Sequence, residues 1–272
     1  MLDIHSHIIP NIDDGSKNID MSMEMIKIAA DDGIDNIIAT PHYCTGCYEK
    51  NYEYIEGYVE YLNKLAKEHE LNIKILPGQE IFIDNYTLDY LKQGIIGSSN
   101  SAILNSTSIY LLSFIGSLNE SKYMLVEFNM AEFDESIMDI LYELRIIGIE
   151  PIIAHPERYI YIVENPLFIN KFVEEQYHFQ INSGSITGLF GKKVEKTAEI
   201  LIQHGICSFV ASDAHSNNRR VPKISEALNI VNQKNNASYE IILNNYKAFL
   251  NNGSLYFSGE KIKEKRKIFW VW

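Results

Sequence analysis

Cysteine is scarce in this chain, with three in 272 residues. An odd, small number supports no disulfide framework and fits a reducing cytosol. The chain opens Met1-Leu-Asp-Ile-His-Ser-His, without a basic region followed by an apolar stretch, so no secretory signal is expected and the expected location is cytoplasmic. Long hydrophobic runs are missing too. The most apolar stretch, around Ile109–Ile115, falls well short of the roughly 18 residues of a membrane span, so direct membrane insertion is not expected. Positive charge is in short supply: 24 Lys and Arg against 36 Asp and Glu leave a net charge of −12. That balance argues against general nucleic-acid binding, which depends on Lys and Arg neutralising phosphates. The cysteine-phosphatase signature, Cys with Arg six residues later, is also absent. Lys50 follows Cys44 at that spacing, Glu53 follows Cys47, and Asp213 follows Cys207. Any phosphatase activity here is therefore not expected to run through a thiolate.

What is present is an ordinary globular composition, with 46% hydrophobic and 22% charged residues, enough for a large core. Short apolar runs recur at Leu2–His7, Asn36–Thr40, Ile73–Ile81, Tyr123–Phe128, Pro151–His155, Phe179–Asn182 and Ser208–Asp213. Their length and β-branched content predict strands. Amphipathic patterns between them predict helices at Met21–Asp32, Tyr52–Glu70, Glu132–Ile147 and Val194–His204, with two more near Ser225–Gln233 and Ser238–Asn251. Strand–helix alternation implies a parallel sheet with helices outside. About seven units predict an α/β fold, a distorted (β/α)7 TIM-like barrel, as a single domain over residues 1–272. Two segments depart from the rhythm. The Ser- and Asn-rich stretch near 97–118 reads as an inserted loop or hairpin, either a surface excursion or a lid or partner surface. The basic-aromatic tail 260–272 reads as packed against the exterior, with a membrane-proximal contact as the alternative.

The chemistry concentrates at the strand ends. In Asp3-Ile4-His5-Ser6-His7 the two imidazoles, two residues apart on a strand, point the same way about 6.5–7 Å apart. On its own this motif is weak. It gains weight because His42 ends the second strand, Glu80 sits near the end of the third and Glu127 near the end of the fourth, His155 ends the fifth, and Asp213 with His215 the last. In a β/α barrel these termini open onto one face, where active sites sit. Imidazole and carboxylate ligands suit Zn, Mn or Fe, and their number exceeds what one four-coordinate ion needs. Asp13 and Asp14 are further candidates, against a solvated Asp-Asp-Gly turn. His69, His178 and His204 read as structural or solvent-facing. Cys44-Thr-Gly-Cys47 is a single Cys-x-x-Cys without a second pair, so it reads as a loop near the site rather than a structural zinc knuckle. Arg158 and Arg220 lie in loops at the mouth, where guanidinium groups commonly bind phosphate oxygens; a surface or interface role is the competing reading.

Taken in order, Asp-Ile-His-Ser-His-Ile, Asp-Asp-Gly, Thr-Pro-His, Gly-Gln-Glu-Ile, Glu-Phe, Ala-His-Pro-Glu-Arg, Asn-Ser-Gly-Ser and Ser-Asp-Ala-His resemble the polymerase and histidinol phosphatase (PHP) superfamily. More narrowly, Ala154–Arg158 with Asn182–Ser185 resembles the bacterial manganese-dependent tyrosine-protein phosphatases of capsule and exopolysaccharide operons. The resemblance implies a trinuclear Mn2+ site, with Fe, Zn or Mg as alternatives. His5, His7, Glu80 and Asp213 would hold one ion. Glu80, as a bridge, would hold a second with Glu127 and His155, and Asp14, His42 and His215 the third. It places Arg158 and Arg220 near the phosphate. It implies as substrate and partner the phosphorylated Tyr-rich tail of a bacterial tyrosine kinase that controls polysaccharide synthesis. A small phosphomonoester such as histidinol phosphate, a nuclease substrate, or a catalytically silent kinase-binding role are the alternatives. The 97–118 segment, longer than usual, and the Cys44–Cys47 pair depart from the family pattern.

Overall fold

The computed structural model describes residues 1–92 and 118–263. The expected insertion at 97–118, apart from Leu118, and the tail beyond 263 lie outside the described residues. In chain order the strands are β1 (Leu2–Ser6), β2 (Asn36–Ala39), β3 (His42–Tyr43), β4 (Lys74–Pro77), β5 (Glu80–Phe82), β6 (Tyr123–Glu127), β7 (Glu150–Ala154), β8 (His178–Asn182) and β9 (Phe209–Ala211). The principal helices are α1 (Ile19–Asp31), α2 (Tyr52–Glu68), α3 (Thr87–Lys92), α4 (Ser136–Ile146), α5 (Ile160–Glu164), α6 (Asn170–Glu174), α7 (Ser183–Ile186), α8 (Lys192–Gln203), α9 (Ser225–Lys234) and α10 (Asn236–Leu250).

All strand pairings are parallel. They form a three-stranded sheet, β1-β2-β4, and a six-stranded sheet, β3-β5-β6-β7-β8-β9. The expected strands Asn36–Thr40 and Ile73–Ile81 are each followed or broken by an interruption. Pro41, which has no N–H for a ladder, separates β2 from β3. Gly78-Gln79 separates β4 from β5, so the run read as one strand is two. A side chain at Gly78 would meet Ile38 Cγ2 at 2.8 Å, so close approach of the neighbouring strand requires glycine there. Both interruptions carry the chain from the smaller sheet to the larger. At the far side, the segment after β9 bonds to the segment at β1: Asp213 N–H donates to His5 O at 2.8 Å, and His7 N–H to Ala214 O at 2.8 Å.

Strands β1, β6 and β8 are buried along their whole length, as expected for parallel strands covered on both faces. The core runs from Leu2, Ile4 and Ile37 through Leu125, Ile153, Phe179 and Val210. Local sequence sets the helix ends. Asn18, Asn51 and Asn235 cap α1, α2 and α10 by accepting from the N–H three residues on. Gly33 (φ 85°) and Gly148 (φ 88°) take the left-handed conformation just past α1 and α4. Among the described residues, no helix is long and apolar enough to cross a membrane.

Candidate metal centre

The strands deliver their chemistry at or beyond their carboxyl ends, except at the short strands β3 and β5, which supply it from their first residues. His5 lies in β1 and His7 just beyond it. His42 opens β3, Glu80 opens β5, and Glu127 ends β6. His155 follows β7, and Asp213 and His215 follow β9. All these side chains, with Asp14 from the loop after β1, fall into four overlapping clusters. These are His7, Asp14, His42 and His215; His5, His7 and Glu80; His5, His155 and Asp213; and His42, Glu80 and Glu127. Ligand atoms within each cluster lie within 4.8 Å of one another. The structure thus brings together nine of the ten residues singled out as ligand candidates, all but Asp13.

His5 Nε2 lies 3.1 Å from Glu80 Oε2 and 3.4 Å from Asp213 Oδ1, and His7 Nε2 lies 3.3 and 3.6 Å from the same two oxygens. His155 Nε2 is 3.0 Å from Glu80 Oε1 and 3.8 Å from Glu127 Oε2. Half-exposed Asp14 takes His42 Nε2 at 3.4 Å and His215 Nε2 at 3.3 Å on one oxygen. The second ring nitrogen of His42, Nδ1, is 3.0 Å from both Glu80 Oε2 and Glu127 Oε1.

Among these contacts His155 Nε2 with Glu80 Oε1 is a hydrogen bond, but several of the other donor atoms are left unsatisfied. His42 Nδ1 and Glu80 Oε2 are buried without an aligned partner. His5 Nε2 and His7 Nε2 face each other at 3.1 Å. His5 Nδ1 lies 2.9 Å from Gln180 Oε1, and His7 Nδ1 lies 2.7 Å from Asp13 Oδ2. Those acceptors assign the Nδ1–H tautomer and leave the Nε2 lone pairs opposed. Opposed imidazole lone pairs beside converged carboxylates repel unless a cation lies among them, so the donor set fits divalent ions.

The charge balance agrees. Burial would neutralise His5, but Glu80 and then Asp213 outweigh it and raise its pKa to about 9. His7 and His42 are likewise raised against burial, chiefly by Asp13 and by Glu80 respectively. Burial opposes ionisation of Glu80 and Asp213, yet both are held well below the usual carboxylate range. His5 and His42 do this for Glu80, and His5 and Arg220 for Asp213. Burial and the nearby His7 push His215 down to about 4. The converged carboxylates thus favour positive charge in the pocket, the balance that a bound cation would meet.

Of the supporting residues only Gln180 carries no local sequence signal; Asp13, Glu157, Asn182 and Ser185 stand in the motifs already quoted, without an assigned supporting role. Asp13, expected as a further ligand candidate, instead spends both oxygens on structure. Its Oδ2 accepts from His7 Nδ1 at 2.7 Å and from the His42 N–H at 3.0 Å, and its Oδ1 from the Gly15 N–H at 2.9 Å. Gly15 is required at this turn, because a Cβ there would lie 2.3 Å from His7 O. Gln180, which orients His5, donates to Asn182 Oδ1 at 2.8 Å, and Asn182 donates to Asp213 Oδ2 at 2.6 Å. Buried Glu157 accepts from Ser185 Oγ at 2.6 Å and from the Asn182 N–H at 3.0 Å, tying the His155 turn to the end of β8. His155 (φ 34°) and Asp213 (φ 51°) both hold left-handed backbone, strain that clusters where side chains must be aimed.

Arg158 and Arg220 reach the same carboxylate. Arg158 Nη1 is 2.9 Å and Arg220 Nη2 2.6 Å from Asp213 Oδ2. Both guanidinium groups lie over the Phe190 ring, at 4.8 and 5.8 Å from its centroid. Arg220 Nε is buried without a hydrogen-bond partner, a donor available to an anion. The remaining histidines stand apart. His69 and His204 follow the last turns of α2 and α8, and His178 is buried against Ser208 Oγ at 3.1 Å. Cys44, Cys47 and Cys207 are free thiols. Burial, then the neighbouring Cys47, pushes Cys44 up to about 11, and burial also raises Cys207, so neither is a ready thiolate. Cys44 instead pairs with Tyr48 in a short turn, and the Tyr48 ring stacks on His42 at 5.7 Å.

Parallel strands whose imidazoles and carboxylates converge on one centre define an α/β protein built around a multi-ligand site. The chain belongs to the family described as capsular polysaccharide synthesis, CpsB/CapC, which it matches over residues 1–251. It is 32% identical to the tyrosine-protein phosphatase YwqE of Bacillus subtilis over 99% of both chains. It is 30% identical to the putative tyrosine-protein phosphatase CapC of Staphylococcus aureus, over 97% of this chain and 94% of the relative. A chain from the crystal structures of YwqE from Bacillus subtilis and CpsB from Streptococcus pneumoniae superposes with a TM-score of 0.85 at 32% identity. That match covers 97% of this chain and 100% of the other. Those two proteins are described as unique metal-dependent tyrosine phosphatases.

Proposed function

We propose that this chain is a metal-dependent protein-tyrosine phosphatase acting in capsular or exopolysaccharide synthesis. Its proposed substrate is the phosphorylated Tyr-rich tail of a bacterial tyrosine kinase, met in the cytoplasm. The observation that carries the reading is the opposed pair His5 Nε2 and His7 Nε2, 3.1 Å apart beside Glu80 and Asp213. The family membership and the relatives' activity support it. We further propose that the strands form the distorted seven-stranded barrel of the PHP type. Supporting this, β2 with β3 and β4 with β5 each count as one interrupted stave, and backbone bonds join the β9 and β1 segments.

His5, His7, Glu80 and Asp213 would hold one ion, Glu80, Glu127 and His155 a second, and Asp14, His42 and His215 a third, with manganese the proposed metal. Such ions supply Lewis acidity and a water acidified towards neutral pH. The chain's own residues do the rest. Arg158 and Arg220 bind the non-bridging phosphate oxygens, where negative charge is spread during transfer. Phe190 beneath them keeps both guanidinium planes in place. Gln180 and Asp13 hold the His5 and His7 rings in one tautomer. The tyrosinate that departs has a parent pKa of about 10 and needs less protonation than an alkoxide. With Cys44 and Cys207 raised, and no cysteine followed six residues on by arginine, no cysteinyl phosphoenzyme is expected. The test is hydrolysis of a phosphotyrosine peptide that chelation abolishes and Mn2+ restores; chelator-resistant turnover, or none with Mn2+, would contradict the reading.

A further inference from the structure

Beside the centre, a groove of about 330 Å3 runs between α7, the loop 219–223 and the start of α9. Arg220 and Phe190 line it, so it is continuous with the Asp213 end of the centre. Arg219 and Lys223 line it as well, and both are exposed. Neither makes an ion pair among the described residues. The acidic groups in the wall are Asp32 and Glu226. Asp32 is consumed at the start of α9, where it accepts from the Ile224 N–H at 2.7 Å, the Ser225 N–H at 2.9 Å and Ser225 Oγ at 2.6 Å. Two free cations against one free carboxylate is a local reversal of sign on a protein of net charge −12. Arginine makes the point more sharply. The sequence has five, and Arg158, Arg219 and Arg220 gather around this groove and its Phe190 wall.

The groove wall is also tied to the centre. The His215 and Ser216 N–H groups donate to Arg220 O at 2.9 and 3.0 Å, and Ser216 Oγ accepts from the Arg219 and Arg220 N–H groups at 3.2 and 3.1 Å. The turn that aims His215 inward therefore presents Arg219 outward. Leu189 and Phe190 add an apolar wall, suited to the stem of an extended peptide.

We infer that this groove docks the polypeptide flanking the phosphotyrosine and selects an acidic segment, with Arg219 and Lys223 pairing with its carboxylates. The inference rests on the phosphatase reading and adds the sequence context of the substrate. Complementary charge at a rim guides encounter and fixes register, whereas the adjoining arginines handle the phosphate itself.

The test uses the Mn2+-loaded enzyme on free phosphotyrosine, on a phosphotyrosine peptide flanked by Asp and Glu, and on the same peptide flanked by Lys. Each exposed charge pair is worth a factor of about 1.5 to 5. The double variant Arg219→Ala/Lys223→Ala should raise KM for the acidic peptide about three- to tenfold with kcat unchanged. Turnover of free phosphotyrosine should stay within about twofold, which also shows the variant is folded. The reversal Arg219→Glu/Lys223→Glu should turn the preference towards the Lys-flanked peptide. An acidic-to-basic preference unchanged in both variants, or equal losses on free phosphotyrosine and peptide, would overturn the groove assignment. If the wild type splits none of the three substrates, the phosphatase reading itself fails.

Discussion

His5 Nε2 and His7 Nε2 can be held 3.1 Å apart only because each ring's other nitrogen is already committed, to Gln180 and to Asp13. Asp213 shows the same division of labour within one carboxylate. Its Oδ1 faces His5, His7 and His215, while its Oδ2 takes Asn182, Arg158 and Arg220. The side chain therefore links the candidate ion positions to the candidate phosphate clamp. From this follows a separation of effects at Arg158. Arg158→Ala should leave metal content unchanged and lower kcat/KM for a phosphotyrosine peptide roughly 10²-fold, the usual scale for removing one transition-state donor. Metal analysis and steady-state kinetics on the same preparation check it, and full turnover by the variant would show that Arg158 does not touch the phosphate. The ligand candidates were legible in the sequence because their signal is local: a two-residue period at His5 and His7, and a polar residue closing each apolar run. Gln180 was not legible, and Asn182 only as part of a motif without a role, because they act through hydrogen bonds to residues 175 and 31 positions away. Asp13 was visible as a ligand candidate, but its bonds to His7, Gly15 and the His42 N–H were not, since only the folded loop brings those groups together.

The strands and helices followed from apolar periodicity and glycine stops, with ends shifted by a few residues. The run Ile73–Ile81 was the main departure. Apolar residues continue through it, but Gly78 brings the strand so close to Ile38 that the ladder passes from β4 to β5 and to a different sheet. Only the tertiary approach reveals that break, and it is what turns Glu80 into the centre. The opposite ends of the strands carry a different chemistry. His178, the first residue of β8, lies edge-on to Tyr123 of β6 and to Phe257. Burial first, then Arg145 and Lys122, press its pKa from 6.5 to about 4. Between those values the unfolded chain binds a proton that the native chain refuses. Its contribution to stability is thus fully present above pH 6.5 and is lost as pH falls towards 4. Replacing it by His178→Asn should flatten the fall in urea midpoint over that window, by up to about 3 kcal/mol in stability. Parallel pH curves for the two proteins would show that His178 is not buried neutral.

At the scale of the whole molecule, an acidic body surrounds a centre that attracts positive charge and a rim that carries it. Composition gave the first of these from the outset. The other two depend on which of the few arginines and histidines the topology gathers, and composition is silent on that. The role of the 97–118 segment stays an expectation of the sequence. The central claim is that side chains spread from His5 to His215 act as one metal-loaded cluster that splits a phosphate ester. It is tested most directly by titrating metal-free protein with Mn2+ while counting bound ions and following phosphotyrosine-peptide hydrolysis in the same samples. The account predicts that hydrolysis is absent without metal and rises only once more than one ion is bound per chain, reaching its plateau at two to three. Full hydrolysis with fewer than one ion per chain, or saturation with metal and no hydrolysis, would contradict it.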